Sequence, residues 1–279
     1  MIDLHTHSTF SDGTLTPTQL VGEAVRAGLS AVALCDHNTV EGLPEFMEAG
    51  RKSAVRTVPG VEFSTQYQGA ELHILALLVA PEAYEPITEK MEDFRRCKEQ
   101  SNRELVAALA RAGMPVDYEK LRQESEGYVN RAVIATAMME KGYTASVKEA
   151  FQKYLGEGCG YYIPPQRMDA FAAIAFIKSL GAAAVLAHPF LNLEEAVLRG
   201  FLPEAMARGL DAMEVLYPKY DPATTRLAIQ LAEEYGLLPS GGSDFHGAAK
   251  PDIFLGVGRG ELCVPEGYLT ALENRVKSK

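Results

Sequence analysis

Apolar residues fall in short continuous runs at 2–5, 31–35, 57–63, 72–79, 183–187, 212–216 and 238–241. Runs of this length, bounded by turn residues, predict buried strands. Between them lie amphipathic stretches with helical periodicity. One opens at Thr16-Pro17, an N-cap followed by a first helical residue, and stops at Gly28. Others span 40–50, 169–180 and 221–235, the last opened by Asp221-Pro222 and closed by Gly236. Strand and helix alternating in this way predict an α/β domain, and seven such units predict a barrel rather than a sandwich.

The rhythm breaks in the middle. Residues 81–160 show helical patterning and no convincing strand, with Leu105, Leu109 and Ala112 on one helix face that ends at Gly113-Met114-Pro115. The expected organisation is therefore a barrel domain at 1–80 and 161–279, with a helical insertion at 81–160 covering the active-site face. The insertion holds 12 basic and 14 acidic residues, against 15 and 23 in the rest of the chain. This comparatively basic segment reads either as a source of positive side chains over the barrel mouth or as a solvated helical hairpin.

The whole chain of 279 residues carries a formal charge of −10. That sign argues against coating duplex nucleic acid. No apolar run approaches the roughly 20 residues of a membrane span, and the first residues lack the pattern of a signal peptide. Cys35, Cys97, Cys159 and Cys263 are widely spaced with no CxxC pair. They read as reduced thiols of a cytoplasmic protein.

The six histidines change the picture. His5 and His7 leave the first strand as an H-x-H pair, and side chains two apart on extended backbone share a face. Asp12 follows in Ser11-Asp12-Gly13. His37 comes directly after the second strand, Glu62 ends the third, His73 lies in the fourth, His188 ends the fifth, and Asp244 and His246 close the seventh. The C-terminal ends of parallel strands form one face of a barrel, where chemistry is housed. Singly, His73 would read as a core histidine. Together, nine His, Asp and Glu residues on one rim predict a metal centre. Imidazole and carboxylate without thiolate suit Zn²⁺, Mn²⁺ or Fe²⁺. Two or three such ions would make the local field positive in an acidic protein, which fits an anionic substrate.

The series His5-x-His7, Ser11-Asp12-Gly13, Asp36-His37, Gly60-Val61-Glu62, His73, His188-Pro189 and Gly242-Ser243-Asp244-x-His246 resembles the PHP family, named for polymerase and histidinol phosphatase. The insertion, with FQKYLGEGCGYY at 151–162, is similar to the stand-alone phosphoesterases of that family. The resemblance implies a distorted, TIM-like (β/α)7 barrel with two or three divalent metal ions. It implies that His5, His7, Glu62 and Asp244 hold one ion, and that Glu62 bridges to a second held with His73 and His188. Asp12, His37 and His246 complete a third. It further implies hydrolysis of a phosphate ester by a metal-bridging hydroxide, with His188 or a water protonating the leaving group. Glu62, Asp244 and His188 are thus the catalytic candidates, and the implied substrate is a small nucleotide-like phosphate compound: a nucleoside monophosphate, a bisphosphate, a short oligonucleotide or a cyclic phosphodiester.

Substrate contacts are less defined. Arg131 reads either as a phosphate clamp, through its planar guanidinium, or as a helix-surface ion pair. Lys153 and Asn102 are lesser candidates from the same insertion. Ser64 either donates to substrate or ends its strand, and Glu214 and Asp36 either face the pocket or steer a ligand from behind. Three other functions remain as alternatives: a histidinol-phosphate phosphatase, an amidohydrolase, and a non-catalytic metal-binding regulatory module. Amidohydrolases share the H-x-H opening but place a bridging lysine where Glu62 stands.

Overall fold

The computed structural model describes residues 1–125, 129–165 and 167–278. Its strands are β1 (Ile2–Asp3), β2 (Ala31–Leu34), β3 (Arg56–Tyr67), β4 (Ala70–Leu77), β5 (Met168–Asp169), β6 (Ala183–Ala187), β7 (Ala212–Leu216) and β8 (Leu238–Gly241). Its helices are α1 (Pro17–Arg26), α2 (Leu43–Arg51), α3 (Tyr84–Arg111), α4 (Tyr118–Glu124), α5 (Arg131–Glu140), α6 (Val147–Ala150), α7 (Ala170–Ser179), α8 (Glu195–Ala207), α9 (Pro222–Tyr235) and α10 (Glu266–Lys277). No helix among the described residues is long and apolar enough to cross a membrane.

The chain divides into two compact units, one of Met1–Glu89 with Met168–Lys279 and one of Lys90–Arg167. In the first, the strands follow the order β1-β2-β3-β4-β6-β7-β8, with β5 paired to β3 off this path. The ring nearly closes. Leu4 N–H donates to the Gly241 carbonyl at 3.3 Å, Asp244 N–H to that of His5 at 2.8 Å, and Thr6 and Phe245 form one parallel bridge. This is a nearly closed seven-strand barrel of the TIM-like kind.

One strand departs from the parallel arrangement expected. β4 runs antiparallel to both β3 and β6. A parallel neighbour needs a crossover of a dozen or more residues, whereas only Gln68 and Gly69 separate β3 from β4. Both have positive φ, 50° and 82°, the backbone of a tight hairpin turn whose twist matches its strands. The reversal brings the first half of β4, not its end, to the rim where β3 and β6 finish. His73 accordingly pairs with Ser64 on one side and Ala187 on the other.

Helix ends follow local chemistry. The Thr16 side chain accepts from Gln19 N–H at 3.2 Å while the Gln19 side chain accepts from Thr16 N–H at 2.9 Å, a reciprocal cap. Asp221 accepts from Thr224 N–H at 2.7 Å, and Gly236 ends α9 at φ 66°. Within the barrel, Ile2, Ala31, Val58, Leu75, Leu77, Val185 and Val264 form a core with Leu269 and Leu272 of α10. Ile2 and Ala31 begin their strands, so this packing fills the end away from the predicted ligands. The second unit has its own core, around Leu105, Leu109, Ile134, Met138 and Leu155.

Candidate metal centre

Strand ends, the loops after them and interior positions of β3 and β4 bring together nine residues: His5, His7, Asp12, His37, Glu62, His73, His188, Asp244 and His246. They form four overlapping groups, His7/Asp12/His37/His246, His5/His7/Asp244, His5/Glu62/His188 and His37/Glu62/His73, with ligating atoms within 4.8 Å of one another in each. Glu62 is at the middle. Its Oε2 lies 3.2 Å from His5 Nε2, 3.2 Å from His7 Nε2 and 3.1 Å from His37 Nδ1. Its Oε1 lies 2.8 Å from His73 Nδ1 and 3.1 Å from His188 Nε2. Asp244 Oδ1 is 3.3 Å from His7 Nε2, and Asp12 Oδ1 is 3.2 Å from His246 Nε2.

The backbone makes room for this crowding. A Cβ on Gly242 would lie 2.4 Å from His5 Cβ, so only glycine lets the loop after β8 run against the first ligand. Buried Asp3 fixes that loop, accepting from Ser243 N–H at 2.9 Å and Gly256 N–H at 2.8 Å. His188 and Asp244 have φ of 27° and 54°. Left-handed backbone at a non-glycine residue costs on the order of 1–3 kcal/mol and persists where surrounding structure enforces it.

Further side chains orient the ligands. Glu214, fully buried, accepts from His5 Nδ1 at 3.0 Å and, through its other oxygen, from His188 N–H at 2.8 Å. With Nδ1 turned to Glu214, His5 Nε2 faces Glu62 and can ligate once the proton that the two carboxylates hold on the ring has left. His246 Nδ1 likewise meets the Asp244 carbonyl at 2.8 Å, turning its Nε2 toward Asp12. Asp36 accepts from Ser8 N–H, Ser8 Oγ and Ser11 Oγ at 2.8, 2.6 and 2.6 Å, holding the loop between His7 and Asp12.

Burial and charge set the protonation states. Burial disfavours charge on His7, but the Asp244 and Glu62 carboxylates outweigh it and push its pKa up to about 9. Burial opposes charge on His73 too, yet Glu62 and Glu71 raise it to about 10. At His37 burial wins and lowers the pKa to about 3. Glu62 and Asp244 stay ionised despite burial, because the surrounding imidazoles hold their carboxyls well below the usual range.

A divalent cation fits these residues. His5 Nε2, His7 Nε2, His37 Nδ1 and Glu62 Oε2 are buried and make no hydrogen bond. A buried polar atom left so costs roughly 1–3 kcal/mol, and here four of them converge. Three carboxylates and six imidazoles, with no thiolate, are the donor set of Zn²⁺, Mn²⁺ or Fe²⁺.

The candidate substrate residues are engaged within their own units. Ser64, half-buried in β3, donates its N–H to Asn38 Oδ1 at 3.0 Å, and its Oγ accepts from Asn38 Nδ2 at 3.0 Å. Arg131, Lys153 and Asn102 belong to the second unit. The Arg131 guanidinium stacks 4.2 Å over the Tyr162 ring and donates to the Leu155 carbonyl at 3.2 Å. Buried Asn102 donates to the Val129 carbonyl at 2.9 Å, and exposed Lys153 pairs with Glu149 at 2.6 Å.

Two residues join the site without having been singled out. The Tyr217 hydroxyl and Lys250 Nζ both donate to Asp244 Oδ2, at 2.8 and 2.7 Å. Their one sequence signal is weak: Tyr217 directly follows β7, and Lys250 stands six positions past Asp244 in a loop without periodicity.

Comparison with known proteins agrees with this geometry. The PHP domain profile matches residues 3–159. The 5'-3' exoribonuclease Rnm of Salmonella typhimurium is 34% identical over 269 residues, spanning 95% of this chain and 90% of that protein. The 3',5'-nucleoside bisphosphate phosphatase of Chromobacterium violaceum is 27% identical over 248 residues, 88% of this chain and 87% of that one. A solved structure from Chromobacterium violaceum, described as an amidohydrolase with bound sulfate and no metal, superposes with a TM-score of 0.81 at 27% identity, covering 98% and 96% of the two chains. With its matched profile, its barrel and its ring of imidazoles and carboxylates, the chain belongs to the PHP domain family of metal-dependent phosphoesterases, hydrolases of phosphoester bonds.

Proposed function

We propose that this protein hydrolyses phosphate esters of nucleotides, as mononucleotides, nucleoside bisphosphates or short oligonucleotides, at a centre of two or three divalent ions. The observation that carries this reading is the convergence on Glu62 of buried ligating atoms without hydrogen-bond partners. The nucleotide substrates named for its relatives support the choice of ester.

His5, His7, Glu62 and Asp244 would hold one ion, Glu62 with His73 and His188 a second, and Asp12, His37 and His246 a third. Bound there, such ions lower the pKa of water and stabilise charge developing at phosphorus. The chain's own part is to prepare the donors. Glu214 aims His5 and fixes the His188 backbone, while Tyr217 and Lys250 occupy Asp244 Oδ2 and leave Oδ1 toward His7. His188 or a water delivers the proton to the departing alkoxide. The net charge of −10 fits a single phosphate gripped at a local site rather than a duplex laid on the surface. Four free cysteines fit a cytoplasmic setting.

Purified protein is expected to contain two or three equivalents of transition metal and to release phosphate or nucleoside from nucleotide esters. A chelator should abolish this, and Asp244→Asn should lower kcat/KM at least a hundredfold with the fold intact by circular dichroism. Metal-replete protein inert toward mononucleotides, nucleoside bisphosphates and dinucleotides alike would falsify the proposal.

A further inference from the structure

Phe10 occupies an unusual place. It sits on the loop between two ligating residues, three positions after His7 and two before Asp12. The residue is 39% exposed, although a phenylalanine side chain gains by leaving water. The loop beneath it is firmly tied. Buried Asp36 takes three hydrogen bonds from Ser8 and Ser11, Gly13 N–H donates to the Ser8 carbonyl at 2.9 Å, and Phe10 N–H reaches Ser8 Oγ at 3.2 Å. Exposure here is therefore a fixed presentation of the ring.

Gly42 explains how the ring is supported. Its φ of −76° suits any residue, so backbone conformation does not call for glycine. A Cβ there would lie 3.0 Å from Phe10 Cδ2, 3.1 Å from Asp36 Oδ2 and 3.2 Å from Phe10 Cγ, so two of its three nearest atoms belong to the ring. Lacking that carbon, residue 42 lets the ring rest against the main chain at the start of α2, with the remainder of the ring open. Two residues along the same tied loop stands Asp12, whose carboxylate lies 3.2 Å from His246 and which groups with His7, His37 and His246 in the centre.

We propose that Phe10, backed by Gly42, is the stacking platform for the nucleobase of a substrate whose phosphate lies on the His/Asp/Glu cluster. The inference rests on the nucleotide reading above and assigns its specificity to one side chain. Aromatic rings held rigid beside a phosphate site bind bases through the π-face, which every base has, so the platform selects for a base without selecting which. Nucleotides would then be preferred over phosphate esters that have no base.

The chain has no tryptophan, so Phe10→Trp supplies a single fluorescent reporter at the platform. With zinc-loaded Phe10→Trp protein, adenosine 5'-monophosphate recorded on mixing should quench the emission, and ribose 5-phosphate should not. In steady-state assays the kcat/KM ratio of adenosine 5'-monophosphate to ribose 5-phosphate should fall about tenfold in Phe10→Ala. It should fall less in Gly42→Ala, whose methyl group at 3.0–3.2 Å shifts the ring by only a few tenths of an ångström, and recover in Phe10→Tyr. Equal quenching by both compounds, quenching by neither, or an unchanged ratio in Phe10→Ala overturns the platform. Should wild-type protein turn over no ester at all, the phosphoesterase reading falls by itself, and the quenching experiment still decides whether a base stacks on residue 10.

Discussion

Glu214 is the residue on which ligand geometry most depends without its being a ligand. Its two oxygens receive two different donors, the His5 ring and the His188 backbone N–H. Glu214→Gln keeps size and shape but turns one acceptor into an NH₂ that must face a donor. Groups that orient metal ligands in this way typically contribute 10–100-fold to metal affinity. Glu214→Gln is therefore expected to weaken metal binding by about that factor in competition with a chromophoric chelator, while Glu214→Asp, which keeps the charge, recovers part of the loss. Unchanged affinity in both would remove Glu214 from the support of the site. Most of the ligands were legible in the chain because they follow recognisable apolar runs, and His73, inside its strand, was legible only as one of the set. Lys250 and Tyr217 were not, since a hydrogen bond to Asp244 Oδ2 depends on how a loop folds back, and no local spacing records that.

At the scale of elements, the β3–β4 hairpin shows where pattern reading stops. The apolar run ends at Phe63, so a strand ending there is the natural expectation, yet β3 continues through Ser64, Thr65, Gln66 and Tyr67. Cross-strand hydrogen bonds to β4 carry this polar segment, and they are a tertiary effect invisible to hydropathy. The pair Gln68-Gly69 was the available turn signal. Its consequence is chemical as well as topological, because the hairpin register sets Glu62 opposite Leu75 and thereby places His73 diagonally across from Glu62 on the same face. The same limit explains Arg131. A helix position could be read, but its stacking on Tyr162, some thirty positions away, could not. Gly69 has φ 82° and nothing within 4 Å of where a Cβ would sit. Gly69→Ala should thus cost backbone strain alone, about 1–2 kcal/mol, read as a lower midpoint in urea. Because eight residue pairs hold the register beyond the turn, metal stoichiometry should stay that of the wild type.

For the molecule as a whole, acidic balance and metal centre meet in a competition between protons and cations. In metal-free protein the buried carboxylates keep His5, His7 and His73 protonated, His5 well above its ordinary range and the other two with pKa values raised to about 9 and about 10. A histidine whose folded pKa exceeds its unfolded value stabilises the fold fully below the unfolded value, and that contribution is lost as pH rises through the folded one. The metal-free protein should therefore lose stability between about pH 6.5 and pH 10. Ligation requires neutral imidazole, so metal binding has the opposite sign over the same window and strengthens as those protons leave. Two measurements check this. The rise in Tm produced by adding zinc to chelator-stripped protein should be larger at pH 8.5 than at pH 6.5. Calorimetric titration with zinc at pH 7.5 in buffers of different ionisation enthalpy should show net proton release, on the order of three per molecule from His5, His7 and His73. A binding enthalpy independent of buffer would mean that these imidazoles are already neutral in the metal-free protein, and that the carboxylates around Glu62 do not hold protons in the place a cation would take.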